Sequence, residues 1–415
     1  MSARVIVTDA EERAVLGACR GLASAGYRVS AVASRRPAAT HWSRSCSKRF
    51  LAPDPRDSVQ AFVAGLEQLL DEGDYAALIP GSDGSLLAIS EHRDRLEQST
   101  RLGLPPSEAV RKSMDKVQLH RVAASVGLPP PASRSCAGTS EGAAAAAELG
   151  YPIVVKPASS FSRAGEGLRQ QRVTLVENEA ALLGALQAYA PPFIVQRFEH
   201  AGFLSCSGVI ADGRLLALTT SSVPRLWPAI AGMHTFSETV AVPAGLAARV
   251  RALLCELGWQ GIFQLQMLER ADGGFSVIDL NPRVFASMTL DHRAGANLAA
   301  IWCEWLLGGR PIPVTATPGF RYRWEEGELC HLVWQLRRGH LRAAASVLLP
   351  HRRVVHASFR ATDPAPLLAR ALELALRRLK QTLRRDAGLV ERDQFLQPPP
   401  TVSALSEPGR AAQGQ

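Results

Sequence analysis

The sequence predicts an α/β protein: a parallel-sheet βαβ domain first, a two-lobed mixed domain next, and a mainly helical C-terminal region. Three observations carry this prediction. Short apolar strands alternate with amphipathic helical stretches at the start, and two apolar segments joined by Gly273-Gly274 read as a hairpin. The 415 residues, 47% apolar and 20% charged, suit two or three globular domains.

In chain order, residues 4–8 form an apolar strand. Helical spacing follows over 11–25, Gly26 stops it, and 27–33 is the next strand. A helix over 58–73 feeds a strand over 75–80 that ends in Gly81-Ser-Asp-Gly84. The first turn, Thr8-Asp9-Ala10, lacks the G-x-G-x-x-G fingerprint, so no dinucleotide site is expected there. Ser82 and Asp83 sit at a strand's carboxyl end, where they either touch a substrate or cap a helix. Pro105-Pro106 marks a boundary and closes a first domain over 1–105. A helix from 113 to 126 places Lys116 in its first turn, and 143–149 is a second short helix.

The run Tyr151-Pro-Ile-Val-Val-Lys156 is an apolar strand broken only by its lysine. A buried ammonium is costly without an anion, which points to a functional Lys156. The small, glycine-bearing stretch 158–167 after it reads as mobile backbone able to fold over phosphates. Strands over 172–176 and 192–197 flank a helix over 179–189. A hairpin of 204–210 with 215–220 turns at Asp212-Gly213. The segment 225–238 reads as a long functional loop, and helices follow over 246–257 and 298–307. On the hairpin 261–283, Gln264 and Gln266 share one strand face, as do Asp279 and Asn281 on its partner. Hard oxygen donors gathered on one side, with Arg283 just beyond, suit Mg²⁺ and the phosphates it bridges.

The net charge of +9 is concentrated, because residues 351–385 hold nine Arg or Lys against two acids. A helix over 367–383 carries Leu368, Leu372, Leu376, Leu379 and Leu383 at helical spacing, with most basic residues off that stripe. Seven cysteines lie without a C-x-x-C pair, so free thiols in a reducing cytoplasm are expected and a zinc site is not. No signal peptide and no apolar run of about 20 residues is present, so no membrane span is expected. The tail, 391–415 in domain terms, is expected to be disordered.

Taken together, Lys116, Lys156, the glycine-bearing stretch and Asp279-Leu-Asn-Pro-Arg283 make the chain resemble the ATP-grasp superfamily over about residues 1–310. The branch resembled is that of carbamoyl phosphate synthetase and biotin carboxylase. The resemblance implies a small lobe with connecting helices over 106–197 and a large lobe with a metal site over 198–310; beyond it, the sequence itself predicts a mainly helical basic region over 311–390. It makes Lys116 and Lys156 contacts of the ATP phosphates, with Ser159, Ser160, Gly165 and Gly167 in the loop that closes over them. Gln196, Arg197 and Phe198 match the hinge at the adenine, with Glu199 in the place of a ribose acid. Gln266, Asp279 and Asn281 match the ligands of Mg²⁺ or Mn²⁺, and Gln264 is a supporting amide. Arg283 is the phosphate-binding arginine, while His234 and Arg225 position an acyl phosphate or carboxylate. Three departures stand out: Arg197 replaces a hinge Glu, no acid lies near Ser205, and Asp279 is one methylene shorter than the usual Glu.

The implied activity is ATP-dependent ligation of a carboxylate to an amine through an acyl phosphate, releasing ADP and phosphate. Full carbamoyl phosphate synthesis or biotin-dependent carboxylation is not expected of this chain alone. The expected partners are small-molecule acid and amine substrates, with room for a homodimer. Residues choosing the substrates are sought among Ser82, Asp83, Arg225, Trp227, Arg321 and Arg323. Two other readings stay open: a catalytically silent ATP-binding regulator, and a nucleic-acid-binding protein using the basic 351–385 stretch.

Overall fold

The computed structural model describes residues 2–171, 173–228 and 232–386, with the backbone alone from 377 to 386. The expected disordered tail, together with Arg172 and Ala231, lies outside the described residues. The N-terminal unit runs β1 (Arg4–Val7), α1 (Arg13–Ser24), β2 (Arg28–Ala33), β3 (Cys46–Leu51), α2 (Val59–Asp71), β4 (Ala77–Ile79), α3 (Asp83–Glu91), α4 (Arg93–Leu96) and β5 (Arg101–Leu102). Its five strands pair in parallel in the order β3-β2-β1-β4-β5. Val5, Ile6 and Val7 have no exposed surface, as befits a central strand covered on both faces by helices.

Two helices, α5 (Ser107–Met114) and α6 (Lys116–Ser125), lead to the small lobe. Asp115 caps α6 by accepting from the N–H groups of Val117 at 2.8 Å and Gln118 at 3.1 Å. That cap holds Lys116 at the first helical position. The lobe continues with β6 (Ser133–Cys136), α7 (Thr139–Leu149), β7 (Ile153–Pro157), β8 (Phe161–Ala164), β9 (Gly167–Gln170), β10 (Thr174–Val176), α8 (Glu179–Gln187) and β11 (Phe193–Arg197). Four of its strands form an antiparallel sheet, β10-β7-β11-β6. Ile153, Val155, Phe193 and Val195 bury one face of it against α7 and α8. By the two-residue period Val154, Lys156, Ile194 and Gln196 share the other face.

The stretch read as mobile backbone is an ordered hairpin, β8 paired with β9, turning at Gly165 with a φ of 60°. Phe161 and Leu168 insert into the core cluster that holds Leu66 and Leu86 of the N-terminal unit. The Val59 N–H donates to the Glu166 carbonyl at 3.0 Å, and Arg163 pairs with Glu91. A Cβ at Gly167 would lie 2.0 Å from the Arg56 carbonyl oxygen, so only glycine permits this approach.

The large lobe is built from β12 (Phe203–Ala211), β13 (Arg214–Trp227), β14 (Met233–Val240), α9 (Leu246–Glu256), β15 (Gly261–Glu269), β16 (Phe275–Asn281), α10 (Met288–Arg293) and α11 (Leu298–Leu306). The C-terminal region adds β17 (Val314–Thr315), β18 (Arg321–Arg323), α12 (Glu325–Arg337), α13 (Leu341–Leu348), β19 (Val354–His356) and α14 (Ala365–Asp386). It is therefore not helical alone: β18 and β19 extend the large sheet, whose order is β16-β15-β12-β13-β14-β18-β19, and β17 joins β13. The segment expected as a long loop is largely the paired ends of β13 and β14, with Arg225 opposite Phe236 and Leu226 opposite His234. Register shifts on both sides of Arg225 break the alternation that would have marked a strand. Arg20 on α1 ties the two ends of the chain together by donating to Asp363 at 3.0 Å and to the Ser358 carbonyl at 3.0 Å.

Candidate active site

The two lysines meet β16 at one place. Lys116 forms an ion pair with Asp279, and Lys156 donates to the carbonyl of Ile278 at 3.1 Å. Main-chain bonds hold the lysines in register, since the Lys116 N–H donates to the Ala158 carbonyl at 2.8 Å and Asp115 bridges to Ser159. The carbonyl is available because β16 carries one residue more than its partner there. Gln266 stands opposite Asp279 and Met267 opposite Val277, which leaves Ile278 as the bulged residue.

Lys156 is 7% exposed. Burial, reinforced by the neighbouring Lys116, lowers its pKa to about 8 despite the attraction of Asp279. The lysines in turn hold the Asp279 carboxyl below the usual carboxylate range against the opposing effect of burial. His120, one turn beyond Lys116 on α6, was not singled out from the sequence. It is buried, its Nε2 has no hydrogen-bond partner, and its pKa is pushed down to about 3 by burial and then by Lys156 and Lys116. Its i+4 spacing from Lys116 was the available signal.

Next to the lysines the oxygen face is ordered by the hairpin register. Gln264 lies opposite Asn281, and Gln266 opposite Asp279. Gln264 accepts from Asn281 Nδ2 at 3.1 Å and donates to Ser205 Oγ at 3.1 Å, which spends its amide on support. Arg283 donates to both carboxylate oxygens of Asp83, at 2.8 and 2.9 Å, and to Asn281 Oδ1 at 3.1 Å. Asp83 thus acts from the N-terminal unit as an anchor for Arg283. Its neighbour Ser82 caps α3 and donates to Asp9 at 2.9 Å. A small cleft lined by Asp83, Ser113, Lys116, Ser160, Asp279 and Asn281 opens between these groups. The Ser113 hydroxyl is buried there without a hydrogen-bond partner.

Along the lysine face of the small lobe, Gln196 is buried with its side-chain oxygen unpartnered. Arg197 is exposed and donates to the Leu149 carbonyl at 3.0 Å. The Phe198 N–H reaches the Pro152 carbonyl at 3.1 Å, and Glu199 is half-buried beside it. Ser159 and Ser160 open the β8–β9 hairpin, Gly165 turns it, and Gly167 seats it.

Arg225 and His234 lie apart from this cluster. Arg225, three strands from β16 and so roughly 14 Å away at ordinary strand spacing, gives Glu328 two hydrogen bonds of 2.9 and 2.6 Å and covers the Phe236 ring. Its guanidinium is committed to holding α12. His234 is buried against Phe203, its Nε2 is unpartnered, and burial followed by Arg13 lowers its pKa to about 4. Arg13, from the N-terminal unit, stacks on Trp324 at 3.8 Å. Arg321 is likewise paired, with Glu238 at 2.9 Å.

No family model matches the chain. Carbamoyl phosphate synthase large chain of Thermus thermophilus is 26% identical over 300 residues, which are 67% of this chain and 27% of that one. D-alanine–D-alanine ligase of Ectopseudomonas mendocina is 28% identical over 181 residues, 41% of this chain and 55% of that one. The chain thus spans about a quarter to about half the length of these curated relatives. Among solved structures, the biotin carboxylase of Campylobacter jejuni superposes with a TM-score of 0.57 at 18% identity, covering 77% of this chain and 74% of that one. That likeness shows the fold.

Proposed function

The chain is an ATP-grasp protein, and from that premise we propose that it is an ATP-dependent ligase joining a carboxylate to an amine or similar nucleophile. One observation carries the reading: Lys116, Asp279 and Asn281 line one cleft, while Lys156 bonds to the Ile278 carbonyl and Arg283 to Asn281 on the same strand. A buried Lys156 whose hydrogen bond goes to a neutral carbonyl suits the reception of an anion. The ligase activity of sequence relatives supports the choice of reaction.

The residues fit a divalent cation. Asp279, Asn281 and Gln266 offer hard oxygens on one face, and a cation, the Lys116 ammonium, already sits against Asp279. Asp279, Asn281 and Gln266 would hold Mg²⁺ or Mn²⁺ there, and the ion would supply charge neutralisation to the nucleotide phosphates. The chain's own residues then do the positioning. Lys116 and Lys156 neutralise the triphosphate, Gln196 offers its free oxygen to the amino edge of adenine, and the β8–β9 hairpin covers the phosphates. Arg283, kept in place by Asp83, stabilises the transferring phosphoryl as the substrate carboxylate attacks it. An amine then displaces phosphate from the acyl phosphate. In this reaction positioning and charge neutralisation supply most of the catalysis. His234, which burial and Arg13 keep neutral at ordinary pH, lies apart from these residues and has no step in this scheme.

A screen of ADP release against paired acids and amines tests the proposal. Turnover is expected to need both substrates and to fall by about 100-fold or more in Lys156→Met and Asp279→Ala. Nucleotide binding without turnover across the panel, or turnover unaltered in both variants, would contradict it. Small-molecule substrates and a reducing compartment, suited to seven cysteines that form no disulfide among the described residues, belong to the same reading. No helix of the described residues is long and apolar enough to cross a membrane.

A further inference from the structure

A cavity of about 550 Å³ opens between the C-terminal half of α1, α10, β19 and the loop 359–362. Its volume falls within the range of small-ligand pockets. It is a different place from the nucleotide cleft. No residue lines both.

The lining is one-sided in charge. Arg20, His292, Arg293, His356 and Arg360 contribute to it, and no Asp or Glu does. The nearest carboxylates are already spent. Asp363 accepts from Arg20 at 3.0 Å, Ser43 Oγ at 2.6 Å and the Arg44 N–H at 3.0 Å. Glu325 accepts from the N–H groups of Ser358 at 3.1 Å and Phe359 at 2.8 Å. Among the described residues neither Arg293 nor Arg360 has a carboxylate partner. The Nδ1 of His356 is buried with no hydrogen bond, 3.9 Å from Glu325. Crowding cations around an opening raises the local potential, and an anion entering it relieves that repulsion. The remaining wall combines the hydroxyl residues Ser24, Thr289 and Thr362 with an apolar side of Val354, Val355 and Phe359, the last 41% exposed with its ring edge-on to His356.

We propose that this cavity binds a small organic anion, its carboxylate or phosphate held by Arg293 and Arg360 and its hydrocarbon part laid against Val354, Val355 and Phe359. Guanidinium pairs recognise either headgroup through the same forked hydrogen bonds. The two sources are separated by using 3-phenylpropionate and phenyl phosphate as probes, with benzyl alcohol as the neutral control.

Calorimetric titration of the full chain, without nucleotide or divalent metal, tests this. One of the two anions is expected to bind saturably while benzyl alcohol does not, and Lys156→Met is expected to leave that binding unchanged. The double variant Arg293→Gln, Arg360→Gln is expected to weaken it by about tenfold or more. Phe359→Ala is expected to weaken it several-fold and serves as the second variant. Both arginines are exposed and unpaired, so thermal melting of the double variant should match the parent. Absence of binding by both anions, equal affinity in the double variant, or loss of binding in Lys156→Met would each overturn the proposal. Since no ATP is present, the outcome is independent of whether the ligase reading holds.

Discussion

Lys156→Met should stabilise the protein while removing its nucleotide chemistry. In the folded state the Lys156 pKa is about 8, against 10.5 for the free side chain. At about 1.4 kcal/mol per unit, keeping this group charged costs about 3 kcal/mol. Methionine has a similar length and no charge, so that cost disappears. Loss of the hydrogen bond to the Ile278 carbonyl returns about 1 kcal/mol, leaving a net gain of about 2 kcal/mol. The sign has a pH signature. Because the folded pKa lies below the unfolded one, the penalty is present in full below about pH 8. It fades as pH rises from there towards 10.5. Thermal melts of both proteins at pH 7 and pH 10 measure it: the variant should melt a few degrees higher at pH 7, and the gap should shrink by pH 10. A variant melting lower at pH 7, or a gap equal at both values, refutes the account of Lys156 as a strained, anion-seeking cation.

The same titration should appear in binding, because an uncharged Lys156 holds triphosphate poorly. ATP affinity measured by equilibrium titration is expected to fall as pH rises past about 8, and to stay level below it. Gly167→Ala places a methyl group 2.0 Å from the Arg56 carbonyl oxygen and should cost about 1–3 kcal/mol of hairpin docking. The readout is faster limited proteolysis within 158–171 together with a raised KM for ATP. Arg20→Ala leaves the Asp363 carboxylate buried without its ion pair, 5% and 8% exposed as the two side chains are. A loss of about 3–5 kcal/mol by chemical denaturation is expected, and a loss below about 1 kcal/mol would show the pair to be dispensable.

Much of this site could be read from the sequence because its residues break local rules. A lysine within Ile153–Pro157 and a carboxylate between Ile278 and Leu280 are anomalies that periodicity exposes. What stayed hidden depends on contacts between distant segments. Nothing in Gly81-Ser-Asp-Gly84 announces that Asp83 will clasp Arg283 two hundred residues later. The ordered β8–β9 hairpin was concealed because its stability comes from the N-terminal unit, not from its own small, polar residues. β18 and β19 are three residues each, too short for a two-residue period to register. The bulge at Ile278 was equally silent, since one extra residue leaves no mark on composition. Arg225 shows the converse error: its surroundings looked like a substrate loop, but a strand irregularity had merely disguised an arginine that Glu328 keeps occupied.

The docking of the β8–β9 hairpin joins two parts of the molecule. Its latch is on another part of the molecule: the Val59 N–H, the Arg56 carbonyl and Glu91 all belong to the N-terminal unit. That same unit supplies Asp83 to Arg283 and Arg13 to Trp324. The N-terminal unit therefore touches the β8–β9 hairpin, Arg283 and Trp324 together. A displacement of that unit would be felt at all three contacts at once.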